Sequence, residues 1–67
     1  MMTLEVQIAC VRREIRQRQA VYPRLMQQGR MLEATAAKEL AAMQAVQHTL
    51  EALIEAQQGE LFGGATS

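Results

Sequence analysis

The sequence predicts an all-α protein, an antiparallel two-helix hairpin that dimerises into a four-helix arrangement. Three observations predict this fold class. Apolar residues recur at alternating four- and three-residue steps in both halves of the 67-residue chain, which is the spacing of a coiled-coil seam rather than of a strand. A Gly-Arg-Met segment at residues 29–31 separates the halves, and the composition is dominated by good helix formers with a single proline.

The first helix is predicted over about residues 3–28. Thr3 is a suitable N-cap, and Gly29 is suited to the left-handed residue that follows a helix. Pro23 removes the bond to the Gln19 carbonyl, but the apolar pattern resumes at Leu25, so we expect a kinked helix that continues. The stripe, which only Arg18 interrupts, comprises Leu4, Ile8, Val11, Ile15, Tyr22 and Leu25.

The second helix is predicted over about residues 33–58. Gly59 is the expected helix end, and residues 59–67 are expected to form a flexible tail. Its stripe comprises Ala36, Leu40, Met43, Val46, Leu50 and Leu53, and Ile54 widens it.

The two stripes fall into register when the chain folds at residues 30–31. Positions whose numbers sum to about 61 then lie opposite each other, for example Ile15 and Val46. Two helices cover each other incompletely, and domains this small usually need oligomerisation, a metal or disulfides. We therefore expect a homodimer, with a seam on helix 2 formed by Leu40, Met43, Leu50 and Ile54.

The two halves of the chain have opposite charge. Residues 1–31 contain six arginines and two glutamates, a net charge of +4, whereas residues 32–67 contain one lysine and five glutamates, a net charge of −4. The formal net charge of zero therefore conceals a dipolar hairpin.

The sequence indicates a cytoplasmic protein. Cys10 is the only cysteine, which excludes an intrachain disulfide and suits a reducing compartment. The first residues lack the pattern of a signal peptide, and no run of about 18 apolar residues is present to span a membrane.

Basic residues of helix 1 are the strongest candidates for binding a partner. We predict a partner-binding face that comprises Arg12, Arg13, Arg16, Tyr22 and Arg24, because arginines beside an aromatic residue are the composition of a protein-binding hot spot. The simpler interpretation is that the arginines pair with Glu51 and Glu55 or are solvated. A basic helical face could also neutralise phosphates of a nucleic acid, an interpretation we favour less.

Other chemistry has little support in the sequence. Arg18, inside the apolar stripe, is expected to fix the register or the oligomeric state, and facing a partner is the alternative. Cys10 and His48 lack the short ligand spacings of structural zinc sites. No catalytic constellation or glycine-rich phosphate loop is present, so we predict no enzyme activity, no metal and no cofactor.

Several strings of the chain resemble a family of small proteins encoded by phages and prophages, especially in the early regions of transposable phages. The resemblance extends over about residues 5–63. It depends on R-R-E-I-R-x-R-x-x-V-Y-P-R at residues 12–24, Gly29-Arg30-Met31, Ala36-x-x-Glu39-x-x-x-Met43 and G-E-L-F-G at residues 59–63. The family often has Thr or Ser after the Gly-Arg-Met segment, where this chain has Leu32.

The resemblance implies a small non-enzymatic protein that binds host machinery. One phage hairpin protein of similar size is a quorum-sensing anti-activator that binds a host transcription regulator and a pilus-assembly ATPase. The expectation is therefore a phage or prophage protein that inhibits or diverts a host protein by direct binding. The alternative is a small nucleic-acid-binding or nucleoid-modulating helical dimer, and a purely structural assembly factor is a third interpretation.

Overall fold

The protein forms a hairpin of two helices, α1 over Leu4–Gln27 and α2 over Glu33–Gly63. The computed structural model describes the backbone of residues 2–63 and the side chains of residues 2–58. A short turn joins the helices, and the Arg12–Glu51 ion pair links them far from that turn, so they run antiparallel. The predicted all-helical hairpin is confirmed, whereas the four-helix arrangement requires a second chain and stays a prediction.

The start of α1 is capped as the sequence predicts. Thr3 is extended, and its Oγ1 accepts a hydrogen bond of 3.2 Å from the Val6 amide. The bond satisfies one of the amides that the first turn of a helix leaves without a partner. Glu5 adds an acidic side chain near the positive end of the helix dipole.

The end of α1 is a Schellman motif built on Gly29. The Arg30 amide donates to the Leu25 carbonyl at 2.9 Å, and the Gly29 amide donates to the Met26 carbonyl at 3.1 Å. Gly29 has φ of +70°, the left-handed conformation that costs least in glycine. The predicted helix end at Gly29 is therefore confirmed.

Pro23 lies inside α1 and does not end it. The helix continues to Gln27, as the resumed apolar pattern predicts. Since Pro23 has no amide hydrogen, the Gln19 carbonyl loses the bond that residue 23 would donate. The expected kink at this position stays a prediction.

Helix α2 differs from the prediction at its C-terminal end. It continues through Gly59 to Gly63, so Gly59 is an ordinary helical position and the helix end predicted there is wrong. A helical glycine costs only about 1 kcal/mol relative to alanine, which the good helix formers before Gly59 can offset. The rest of the predicted tail, residues 64–67, lies outside the described residues. At the N-terminal end, Leu32 is 74% exposed and offers no capping oxygen.

The seam between the helices follows a strict heptad spacing. On α1 the covered stripe is the predicted one, with Ile8 and Ile15 buried and Arg18 partly buried in its gap. On α2 Ala36 is buried, and the partly covered positions that continue its stripe are Leu40, Met43, Gln47, Leu50 and Ile54.

Two members of the predicted α2 stripe lie outside this seam. Val46 is 46% exposed and Leu53 is 49% exposed, so the expected pairing of Ile15 with Val46 is wrong. Residues at alternating steps of four and three lie on one side of a helix. Counted in this way from Ala36, the positions that face α1 include Gln47 and Ile54 instead of Val46 and Leu53. The direction of each position toward α1 therefore decides which residues of α2 are covered, even though it places Gln47 in the seam.

The residues predicted to form the dimer seam lie on the α1-facing side of α2. Leu40, Met43, Leu50 and Ile54 are all partly covered there. Since α1 is the only other element of the described chain, this cover comes from within the hairpin. Over the helices described, neither α1 nor α2 provides an apolar segment that could cross a membrane.

Two glycines should respond in opposite ways to replacement by alanine. Gly29→Ala should lower the free energy of unfolding by about 1–2 kcal/mol, the penalty of a left-handed L-residue. No atom lies within 4 Å of the added methyl group, so this cost is purely conformational. Gly59→Ala should instead raise the stability by about 1 kcal/mol, because Gly59 is helical.

Urea titrations of both variants at equal protein concentration measure the difference. Equal losses at the two positions would contradict the helical assignment of Gly59 and would restore the helix end predicted there.

Candidate functional site

The five predicted partner-binding residues do not form one surface. Arg12 and Arg16 are four residues apart and share the edge of α1 that contacts Glu51. Arg13 is three residues from Arg16 and lies on the outward face of α1, away from α2, and Arg24 lies three helical turns further on the same face. Tyr22 belongs to the stripe that faces α2 and is partly buried.

Arg12 forms the ion pair that links the helices. Its Nη2 lies 2.8 Å from Oε2 of Glu51, and Gln47 Nε2 donates to the same oxygen at 3.2 Å. The hydrogen bonds from Arg12 and then Gln47 lower the pKa of the Glu51 carboxyl below its usual value. The interaction is therefore present at neutral pH and is lost only as the pH falls through that lowered pKa. Both partners remain solvent-exposed enough that screening keeps the pair weak.

Arg18 pairs within its own helix. Its guanidinium contacts the Glu14 carboxylate one turn earlier and also donates to the Glu14 carbonyl at 3.3 Å. The hydrogen bond to Glu14 raises the pKa of Arg18 despite partial desolvation, and Tyr22 adds to the effect. The aliphatic part of Arg18 thus fills the gap in the stripe while its charge is neutralised locally. Its expected role in fixing register or oligomeric state stays a prediction.

The other arginines of the predicted face are available to a partner. Among residues whose side chains are described, Arg13, Arg16 and Arg24 form no ion pair with a carboxylate. Arg13 Nη2 donates to the Cys10 sulfur at 3.8 Å, a weak hydrogen bond. Arg24 lies in the last turn of α1, where the helix dipole favours a cation. The opposite charges of the two halves of the sequence therefore correspond, in the structure, to an excess of exposed cations on α1.

An apolar groove lies beside Arg13 and was not predicted from the sequence. It has a volume of about 610 Å³ and opens along one edge of the hairpin, between the first half of α1 and the middle of α2. The apolar side chains that line it are Met2, Val6, Ala9, Val11, Val46 and Leu50. The seam accounts for neither Val6 nor Val46, which are 49% and 46% exposed, and these two valines are the sequence signal that indicates the groove.

Cys10 and His48 lie on different edges of the hairpin. Cys10 is exposed at the groove, whereas His48 is on the Glu51 edge, where its charge also lowers the pKa of Glu51. Within the part of the chain that the structure describes, no three His, Cys, Asp or Glu side chains are arranged to hold a metal ion.

Surface binding is therefore the chemistry that this arrangement offers: exposed guanidinium groups for charge-assisted hydrogen bonds, and an apolar groove beside them. Comparison of the chain with protein-family models, with curated proteins and with solved structures found no match.

Proposed function

We propose that this chain is a small non-enzymatic phage or prophage protein that binds a host protein and inhibits or diverts it. It would act as a homodimer in the cytoplasm of the bacterial host. A quorum-sensing transcription regulator or a pilus ATPase is the kind of target that the resemblance implies. The observation that supports binding most strongly is the group of exposed arginines without a carboxylate partner, Arg13, Arg16 and Arg24.

The arginines differ in how freely they can engage a partner. Arg12 must first leave Glu51, whereas Arg16, one turn away on the same edge, has no such competitor among the described side chains. A guanidinium already bound to a carboxylate gains less from a second acceptor, since each new bond replaces an existing one. Arg16 should therefore contribute more to capture than Arg12.

An apolar neighbour favours a protein partner over a nucleic acid. Protein interfaces combine an apolar centre with arginine and aromatic side chains, and the groove beside Arg13 supplies such an apolar area. Glu51 and Glu14 already pair with Arg12 and Arg18, so fewer cations of α1 are free to neutralise phosphates.

Removing the arginines should strongly reduce partner capture without unfolding the protein. The experiment is affinity capture from a nuclease-treated bacterial lysate, with the triple variant Arg12→Ala, Arg13→Ala and Arg16→Ala compared with the unmodified chain. We expect the specifically captured host protein to fall at least tenfold, because three charge-assisted contacts are lost. Helicity by circular dichroism should be unchanged, since exposed ion pairs contribute little to the fold.

A triple variant of exposed glutamines, Gln19→Ala, Gln44→Ala and Gln57→Ala, is the matched control and should capture normally. Arg16→Ala alone should reduce capture more than Arg12→Ala alone. Undiminished capture by the folded arginine variant would exclude these arginines from the mechanism. Capture that survives only without nuclease, and that falls steeply with salt, would instead support the nucleic-acid alternative.

A further inference from the structure

The apolar groove beside Arg13 is a surface that the hairpin itself leaves uncovered. Val6 on α1 and Val46 on α2 line it and are 49% and 46% exposed, so a molecule that excluded water from them would be favoured. The groove follows α1 from Val6 to Arg13, about two helical turns or roughly 10 Å, and Met2 extends it beyond the start of the helix. It therefore accommodates a short segment of a partner chain, about three helical turns long if that segment is helical.

The walls of the groove determine which backbone conformation fits. The two helices form both walls, and most of their backbone amides and carbonyls bond within each helix. An extended segment would find no free backbone groups to pair with, and its own inward-facing groups would lose water without replacement. A helix satisfies its backbone groups internally and presents only side chains, which is how amphipathic helices occupy apolar grooves. A third helix is thus the segment that fits.

Arg13 determines the charge of the segment that fits. Although it begins on the outward face of α1, its guanidinium donates to the sulfur of Cys10, a residue of the groove. Among the described residues that line the groove, Arg13 is the only charged one, and it pairs with no carboxylate there. A helix that covers the groove removes water from this guanidinium, so an acidic side chain beside the apolar face of that helix is favoured. A basic side chain at the same place would meet a like charge.

A second copy of this chain offers no such helix. Its two apolar stripes already face each other in the seam, where Ile8 and Ile15 are buried. Where side chains are described, the large apolar residues exposed away from the groove are Val21, Leu32 and Leu53. One lies in α1, one at the turn and one in α2, so neither helix has a free apolar stripe over that range. The segment that fits therefore belongs to a different protein.

We propose that the groove binds an amphipathic helix of the host protein, with an acidic side chain of that helix against Arg13. This inference rests on the proposed function and deepens it, since it names the kind of segment that the hairpin recognises. Arg16, three residues from Arg13 on α1, is near enough to meet further acidic side chains of the same partner.

Two model peptides measure the preference of the groove. Each is an alanine-rich helix of about 15 residues with a leucine stripe. Two residues beside the stripe are glutamates in one peptide and lysines in the other. Fluorescence anisotropy should show saturable binding of the glutamate peptide, at least tenfold tighter than binding of the lysine peptide. Arg13→Glu should reverse this preference, whereas Arg30→Glu makes the same change of charge in the turn, outside the groove, and should keep it. An unchanged preference in the Arg13→Glu variant would overturn the proposal.

Substitutions in the apolar walls test the groove itself. Val46→Glu, on the α2 wall, and Val6→Glu, on the α1 wall, should each weaken binding of the glutamate peptide at least tenfold, because each places a like charge against it. Ala45→Glu adds the same charge at an exposed position of α2 outside the groove and should bind the peptide normally. Circular dichroism should show equal helicity in all three variants. No saturable binding by the unmodified chain, or equal binding by folded wall variants and the Ala45→Glu variant, would contradict the inference.

Cys10 reports where the peptide binds. It is the only cysteine of the chain, it is exposed, and it lines the groove. Saturating glutamate peptide should therefore slow its alkylation by iodoacetamide several-fold, measured from the mass of the intact chain. Alkylation that bound peptide leaves unchanged would place the binding elsewhere and refute the assignment. Alkylation that slows as the chain alone is concentrated would also refute it, because a second copy would then fill the groove.

Failure of the groove and failure of host binding can be distinguished. Peptide binding that follows these expectations, without any host protein captured through the arginines, would contradict only the proposed function. Host capture that depends on the arginines but is unaffected by Val46→Glu and Val6→Glu would contradict only the groove.

Discussion

Replacing Ile15 with alanine is expected to lower the free energy of unfolding by about 2–3 kcal/mol, one of the largest losses expected of any single truncation in this hairpin. Ile15 is only 7% exposed and lies near the middle of the α1 stripe. This loss is at the lower end of the range usual for truncating a buried isoleucine, because solvent reaches the single seam between the two helices from both of its edges. A loss of this size is a large fraction of the stability of a small domain.

Thermal unfolding measures the effect, with both variants at one fixed protein concentration because the melting temperature of any self-associating chain depends on concentration. At about 4–8 °C per kcal/mol for a domain of this size, the midpoint should fall by roughly 8–24 °C. Leu32→Ala is the control, because Leu32 is 74% exposed and alanine is an equally poor N-cap. Similar losses for the two variants would contradict the assignment of Ile15 to the core.

Pro23→Ala is expected to raise the free energy of unfolding by about 2 kcal/mol. A proline inside a helix costs about 3 kcal/mol relative to alanine, and its stiffening of the unfolded chain returns up to about 1 kcal/mol of that. Pro23 is exposed, so the substitution removes no packed side chain. The alanine amide can donate to the Gln19 carbonyl and complete the ladder of α1.

Far-UV circular dichroism should show equal or higher helicity, and the melting temperature should rise by roughly 8–16 °C. Gln19→Ala keeps the same carbonyl and changes only an exposed side chain, so it should alter stability by a few tenths of a kcal/mol. A less stable Pro23→Ala variant would show that the proline conformation is required by the turn that follows.

The sequence by itself determined the secondary structure at its well-marked ends. Thr3 and Gly29 were identified from local chemistry alone, because a side-chain cap and a left-handed glycine each act within one helical turn. The conformation of Gly59 could not be identified in this way, because glycine accepts the helical conformation as well as the left-handed one. The residues around it decide between the two.

The α1 stripe was also predictable, since its apolar residues leave only one heptad line. On α2 two overlapping lines are available, one through Val46 and Leu53 and one through Gln47 and Ile54. The first line is the more hydrophobic, but the residues of the second line are the ones that face α1 along the length of the helix. Only the packed pair of helices resolves this choice.

The candidate site, too, was predictable in part from the sequence and in part only from the structure. The excess of arginines in α1 is a property of composition and was evident without a structure. Which arginines are occupied depends on neighbours distant in sequence, as the pairing of Arg12 with Glu51 shows. The groove likewise exists only where the edges of α1 and α2 meet, because it depends on the rotation of each helix about its axis. The sequence thus determined which helices form and how charge is divided between them, and the tertiary structure decided which face of each helix remains exposed.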